Sequence, residues 1–157
     1  TLTNAQSGTS IDLGGGTDTL TLAAGGNTVT VSGAETIVGG SGTDSVTLGS
    51  AGAVTVSGVE TLVGSSGDDA VTLATTVSGA SINLGAGTNT LTLATGANTL
   101  AASGVATITG GSGNDALTLT NAQNGTSIAL GGGTELGGVI RARSFTDAFA
   151  RAFRHRL

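Results

Sequence analysis

The chain has 157 residues, 29 of them glycine, with no proline, cysteine, methionine, tryptophan or tyrosine and three phenylalanines. This composition excludes disulfides, thiolate metal sites and an aromatic-rich core, leaving Leu, Ile, Val and Ala to supply any buried interior. The net charge of -5 is unevenly placed: Asp12, Asp18, Glu35, Asp44, Glu60, Asp68, Asp69, Asp115 and Glu135 all precede Ile140, and all five arginines and His155 follow it. An acidic region without one basic side chain disfavours nucleic acid, anionic lipid and acidic polysaccharide as ligands, and makes small cations its natural partners. No apolar run approaches the roughly 18 residues of a membrane span, and any export signal is expected to lie outside this sequence.

In chain order, Thr1 to Asp18 opens the sequence and recurs as Thr118 to Glu135 with 15 of 18 positions identical, so the chain is expected to begin in mid-repeat. Glycine anchors then follow at Gly16, Gly42, Gly67, Gly87, Gly113 and Gly133, with spacings of 26, 25, 20, 26 and 20 residues that suggest coil lengths. Five residues before each anchor stands Ile11, Ile37, Leu62, Ile82, Ile108 or Ile128. Four and six residues after the first five come Leu20 and Leu22, Val46 and Leu48, Val71 and Leu73, Leu91 and Leu93, Leu117 and Leu119. This period-two alternation is that of strands with one buried face. Thr21, Thr47, Thr72, Thr92 and Thr118 fall between the aliphatic positions and are expected to point outward. The longer coils add Asn27 to Val31, Ala53 to Val56 and Asn98 to Ala102, which suggests a third wall in those coils.

The expected architecture is therefore all-β: a parallel β-solenoid of about six coils over residues 1–135, right-handed, with coils stacked about 4.8 Å apart. An antiparallel sandwich is the alternative, but hairpins do not require aliphatic positions to recur at coil spacing.

Two residues after each anchor come Asp18, Asp44, Asp69, Asn89, Asp115 and Glu135, which coil stacking is expected to bring into one column. Unit charges 4.8 Å apart repel by about 3.5 kcal/mol at an effective dielectric near 20, so a divalent cation between coils would relieve the column. Carboxylates among carbonyl-exposing glycine turns form the oxygen-only shell that suits calcium, whereas magnesium demands a stiffer site. The plainer alternative is that Gly-x-Asp and Gly-x-Asn simply form turns without metal. Glu35 and Glu60 occupy equivalent places in adjacent long coils and are expected either to be solvated or to form a second cation site.

Gly110 to Thr118, GGSGNDALT, and Gly39 to Thr47, GGSGTDSVT, fit the pattern G-G-x-G-x-D-x-U-x, and Gly64 to Thr72, GSSGDDAVT, departs from it at one glycine. On these residues the region 1–135 resembles the RTX repeats, here about once per coil rather than in tandem. The resemblance implies an extracellular calcium-binding β-roll belonging to a longer secreted or cell-surface protein, of adhesin or surface-layer type. Its partners would be calcium ions and the neighbouring repeats of that chain. Carried over position by position, it names Asp44, Asp69, Asp115 and Asp18 as metal ligands, while Asn89 and Glu135 depart from the motif's aspartate.

After residues 136–143, read as a linker, residues 144–157 place Phe145, Phe149, Phe153 and Leu157 on one helical face. Ser144 and Asp147 resemble a capping box, and arginines cluster near the C-terminus. The tail reads as an amphipathic helix that caps the last coil or as a non-native product of a reading-frame change, with membrane-surface binding a further use of such a helix. Catalysis is not expected, because the repeat region has only Ser, Thr, Asp and Glu for acid, base or nucleophile work and nothing to orient a serine. An ice- or glycan-binding face built on the outward threonines is the alternative function.

Overall fold

The computed structural model describes residues 1–121, 125–132 and 141–142. Fifteen strands follow one another: β1 (Ser7–Asp12), β2 (Thr19–Thr21), β3 (Thr28–Ser32), β4 (Thr36–Val38), β5 (Ser45–Leu48), β6 (Gly52–Ser57), β7 (Thr61–Val63), β8 (Asp69–Leu73), β9 (Ser78–Asn83), β10 (Thr90–Thr92), β11 (Thr99–Ser103), β12 (Thr107–Thr109), β13 (Ala116–Asn121), β14 (Ser127–Ala129) and β15 (Arg141–Ala142). Short β-branched stretches between glycine turns give these strands, and no helix occurs among the described residues. Odd-numbered strands form one eight-stranded sheet, sheet A, and even-numbered strands a seven-stranded one, sheet B, each in sequence order. Every strand pairing is parallel, which excludes the antiparallel sandwich.

The molecule is thus a parallel β-solenoid of about seven turns, each contributing one strand to each sheet. It has two walls rather than two or three: Asn98 to Ala102, expected in a third wall, runs into β11 of sheet A, and Ala53 to Val56 lies in β6 of sheet B. Register partners stand 16 residues apart between Ser45 and Thr61, 17 between Thr19 and Thr36, and 21 between Ser78 and Thr99. A spacing of 26 residues, as from Gly16 to Gly42, is therefore about one and a half turns, and the anchors alternate between the two edges of the roll. That accounts for the count of seven turns where the anchors suggested about six.

The aliphatic positions fill one core between the sheets. Ile37, Leu62, Leu91, Ile108 and Leu117 are buried, as are Leu22, Leu48, Leu73, Leu93 and Leu119. Neighbouring turns approach so closely at the edges that a Cβ added at Gly39 would collide with the carbonyl oxygen of Gly58, so this glycine is required by packing. Outside the core, sheet B carries an in-register column of Thr19, Thr36, Thr55, Thr72, Thr92 and Thr109. Arg141–Ala142, within the segment read as a linker, extends sheet A by pairing with β13. Glu135 and the expected helix at 144–157 lie outside the described residues.

Candidate metal-binding turns

The six-residue glycine turns end in Asp or Asn because a short polar side chain folds back to accept from the N–H groups of its own loop. At the edge leading from sheet B into sheet A, the turn before β3 ends in Asn27 and the next, before β5, in Asp44. Four turns' worth of chain further on, Asn98 and Asp115 repeat the arrangement before β11 and β13. The opposite edge carries Asp18 before β2, Asp69 before β8 and Asn89 before β10. The four expected ligands thus divide between two edges, Asp44 and Asp115 on one and Asp18 and Asp69 on the other, instead of forming one column.

On each edge the side chain of one turn accepts the backbone N–H of the turn before it. Asp44 Oδ1 accepts from Asn27 N at 2.9 Å, and Asn27 Oδ1 from Gln6 N at 3.0 Å. Glu60 Oε2 in turn accepts from Asp44 N at 2.8 Å. Asp115 Oδ1 accepts from Asn98 N at 3.0 Å, and Asn98 Oδ1 from Val77 N at 3.2 Å. On the opposite edge Asn89 Oδ1 accepts from Asp69 N at 2.8 Å, and Glu35 Oε2 from Asp18 N at 2.7 Å. These rungs fix the stacking of turns where the sheets end.

The repulsion expected of stacked aspartates is avoided because the neighbour of each of Asp44, Asp69 and Asp115 in these rungs includes an uncharged asparagine. Asp44 and Asp69 are 0% and 1% exposed, and Asn89 and Asn98 are both 0% exposed. Such burial is tolerable only because hydrogen bonds replace the lost water. Asp44 Oδ2 accepts from Gly40 N at 3.0 Å. Asp69 Oδ2 accepts from Ser65 N at 2.9 Å, and Ser65 Oγ donates to Asp69 Oδ1 at 3.0 Å. Two carboxylate oxygens differ: Asp18 Oδ2 and Asp115 Oδ2 are buried and have no hydrogen-bond partner.

Glu35 and Glu60 lie on opposite edges and do not stack together. Each is half-buried and accepts the N–H of an aspartate in the preceding turn. Their short Ser-Gly-x-Glu turns, Ser32 to Glu35 and Ser57 to Glu60, were the available signal for this role, since Asp18 and Asp44 precede them by 17 and 16 residues, one turn each.

The donor set is all oxygen, as calcium requires. Among the described residues no three acidic or histidine side chains gather into a metal-binding group. The fit to calcium therefore rests on single carboxylates, foremost Asp115, with turn carbonyls around them. Comparison with protein-family models finds RTX calcium-binding nonapeptide repeats, in four copies, at residues 30–52, 54–72 and 103–119. The chain is an RTX-like β-solenoid repeat region. These nonapeptides are calcium-binding motifs, and the matched stretches of the RTX-like region hold the turns ending in Asp44, Asp69 and Asp115. No curated protein and no solved structure matches the chain.

Proposed function

We propose that the chain is a calcium-stabilised structural segment of a secreted or cell-surface protein of adhesin or surface-layer type, stacked against neighbouring repeats of a longer chain and without catalytic activity. The observation that carries the proposal is a nonapeptide turn of a calcium-binding family whose buried aspartate, Asp115, keeps one oxygen that no N–H or O–H satisfies. Asp18 Oδ2 stands in the same condition. Asp44 and Asp69 belong to the same ligand set through their Oδ2 atoms, which would exchange the N–H groups of Gly40 and Ser65 for the ion. Bound calcium would supply positive charge to a region that has no basic side chain up to Ile140. Calcium titration calorimetry tests this: wild type should bind, and the Asp18→Asn, Asp115→Asn double variant should lose at least one site. Equal stoichiometry and affinity in both proteins would overturn the assignment of these carboxylates.

A second reading is favoured by the six in-register threonines of sheet B, four of them fully exposed: Thr19, Thr72, Thr92 and Thr109. A flat rank of hydroxyls and methyls repeated at strand spacing suits ice or a glycan, and a thermal hysteresis measurement discriminates, with none expected under the structural reading.

A further inference from the structure

The side-chain amide of Asn27 stands among three oxygens. Its Nδ2 donates to Ala23 O at 2.9 Å and Gly25 O at 2.8 Å, both in its own turn, and to Asp44 Oδ1 at 2.8 Å in the next. The amide of Asn98 repeats this set with Ala94 O at 2.9 Å, Gly96 O at 3.0 Å and Asp115 Oδ1 at 2.8 Å. Two loop carbonyls and a carboxylate from the adjacent turn converging on one point is the environment of a bound cation, and the point is held by an amide. An NH2 group has only two hydrogens for three acceptors, so the site is richer in oxygen than an amide needs.

We infer that Asn27 and Asn98 fill latent calcium positions between turns, so that the Asn27–Asp44 and Asn98–Asp115 contacts are stapled without metal, and that an aspartate at either position would turn the staple into a calcium site. With Asp at residue 27 or 98, two carboxylates and two carbonyls would face one another with no donor between them. That arrangement is repulsive without metal and offers four or more of the six to eight oxygens calcium takes, the rest coming from water. The inference rests on the calcium reading only for the identity of the ion, and it concerns the Oδ1 side of Asp44 and Asp115 rather than the Oδ2 side assigned above.

The test is scanning calorimetry of the full 157-residue chain as wild type, Asn27→Asp and Asn98→Asp, each in chelator and in millimolar calcium. Each variant should melt lower than wild type in chelator and recover in calcium, so that its calcium-induced shift exceeds that of wild type by about 5 °C or more. This excess is expected even if wild type itself does not respond, an outcome that would sink the calcium dependence of the natural chain while leaving the latent sites standing. Calcium shifts in both variants no larger than in wild type, whether the variants are stable, weakened or unfolded, would overturn the inference.

Discussion

At the scale of single residues, the aliphatic positions were the most legible part of the sequence. Every one from Leu20 and Leu22 through Leu117 and Leu119 is buried, because alternation at period two admits only one assignment of faces. The turn aspartates were legible in place but not in orientation. A Gly-x-Asp sequence names a turn, yet whether its carboxylate faces solvent or folds back onto loop N–H groups depends on the neighbouring turn, which lies 16 to 21 residues away in sequence. Leu91→Ala should cost about 2 to 4 kcal/mol, since Leu91 is 0% exposed, whereas Thr92→Ser on the outer face should cost under about 1 kcal/mol. Urea unfolding of both variants measures the difference, and similar losses would contradict the assignment of faces.

At the scale of elements, the repeat was visible but its period was not. Thr1 to Asp18 and Thr118 to Glu135 are nearly the same sequence, yet Ser10, Ile11 and Asp12 lie in sheet A while Ser127, Ile128 and Ala129 lie in sheet B. Both sheets present the same kind of inner face, so one sequence unit serves in either, and anchors a turn and a half apart look like a single family. The register makes a direct expectation. Spin labels at Thr55→Cys and Thr72→Cys, in-register neighbours about 4.8 Å apart, should show strong dipolar broadening. Labels at Thr47→Cys and Thr72→Cys, on the outer faces of opposite sheets, should show none, and the reverse result would restore the single-column arrangement. The tight edges make a further one: Gly39→Ala must push the turn away from Gly58 O and should cost about 1 to 3 kcal/mol by thermal or urea unfolding, a loss that a loosely stacked edge would not show.

At the scale of the whole molecule, each turn buries little alone, and stability comes from stacking, as in other solenoids. An acidic stack with no internal counter-charge depends on uncharged rungs and bound cations to hold together, which links folding to calcium. If calcium binds only the stacked state, each site contributes about 2.7 kcal/mol at one hundred times its dissociation constant. For a chain of this size that corresponds to a rise of roughly 5 to 10 °C per site in melting temperature. The most direct measurement of this account is the melting temperature of the wild-type chain by scanning calorimetry, first in chelator and then in millimolar calcium. The account predicts a higher melting temperature in calcium, growing with its concentration, and an identical melting temperature in both conditions would contradict it.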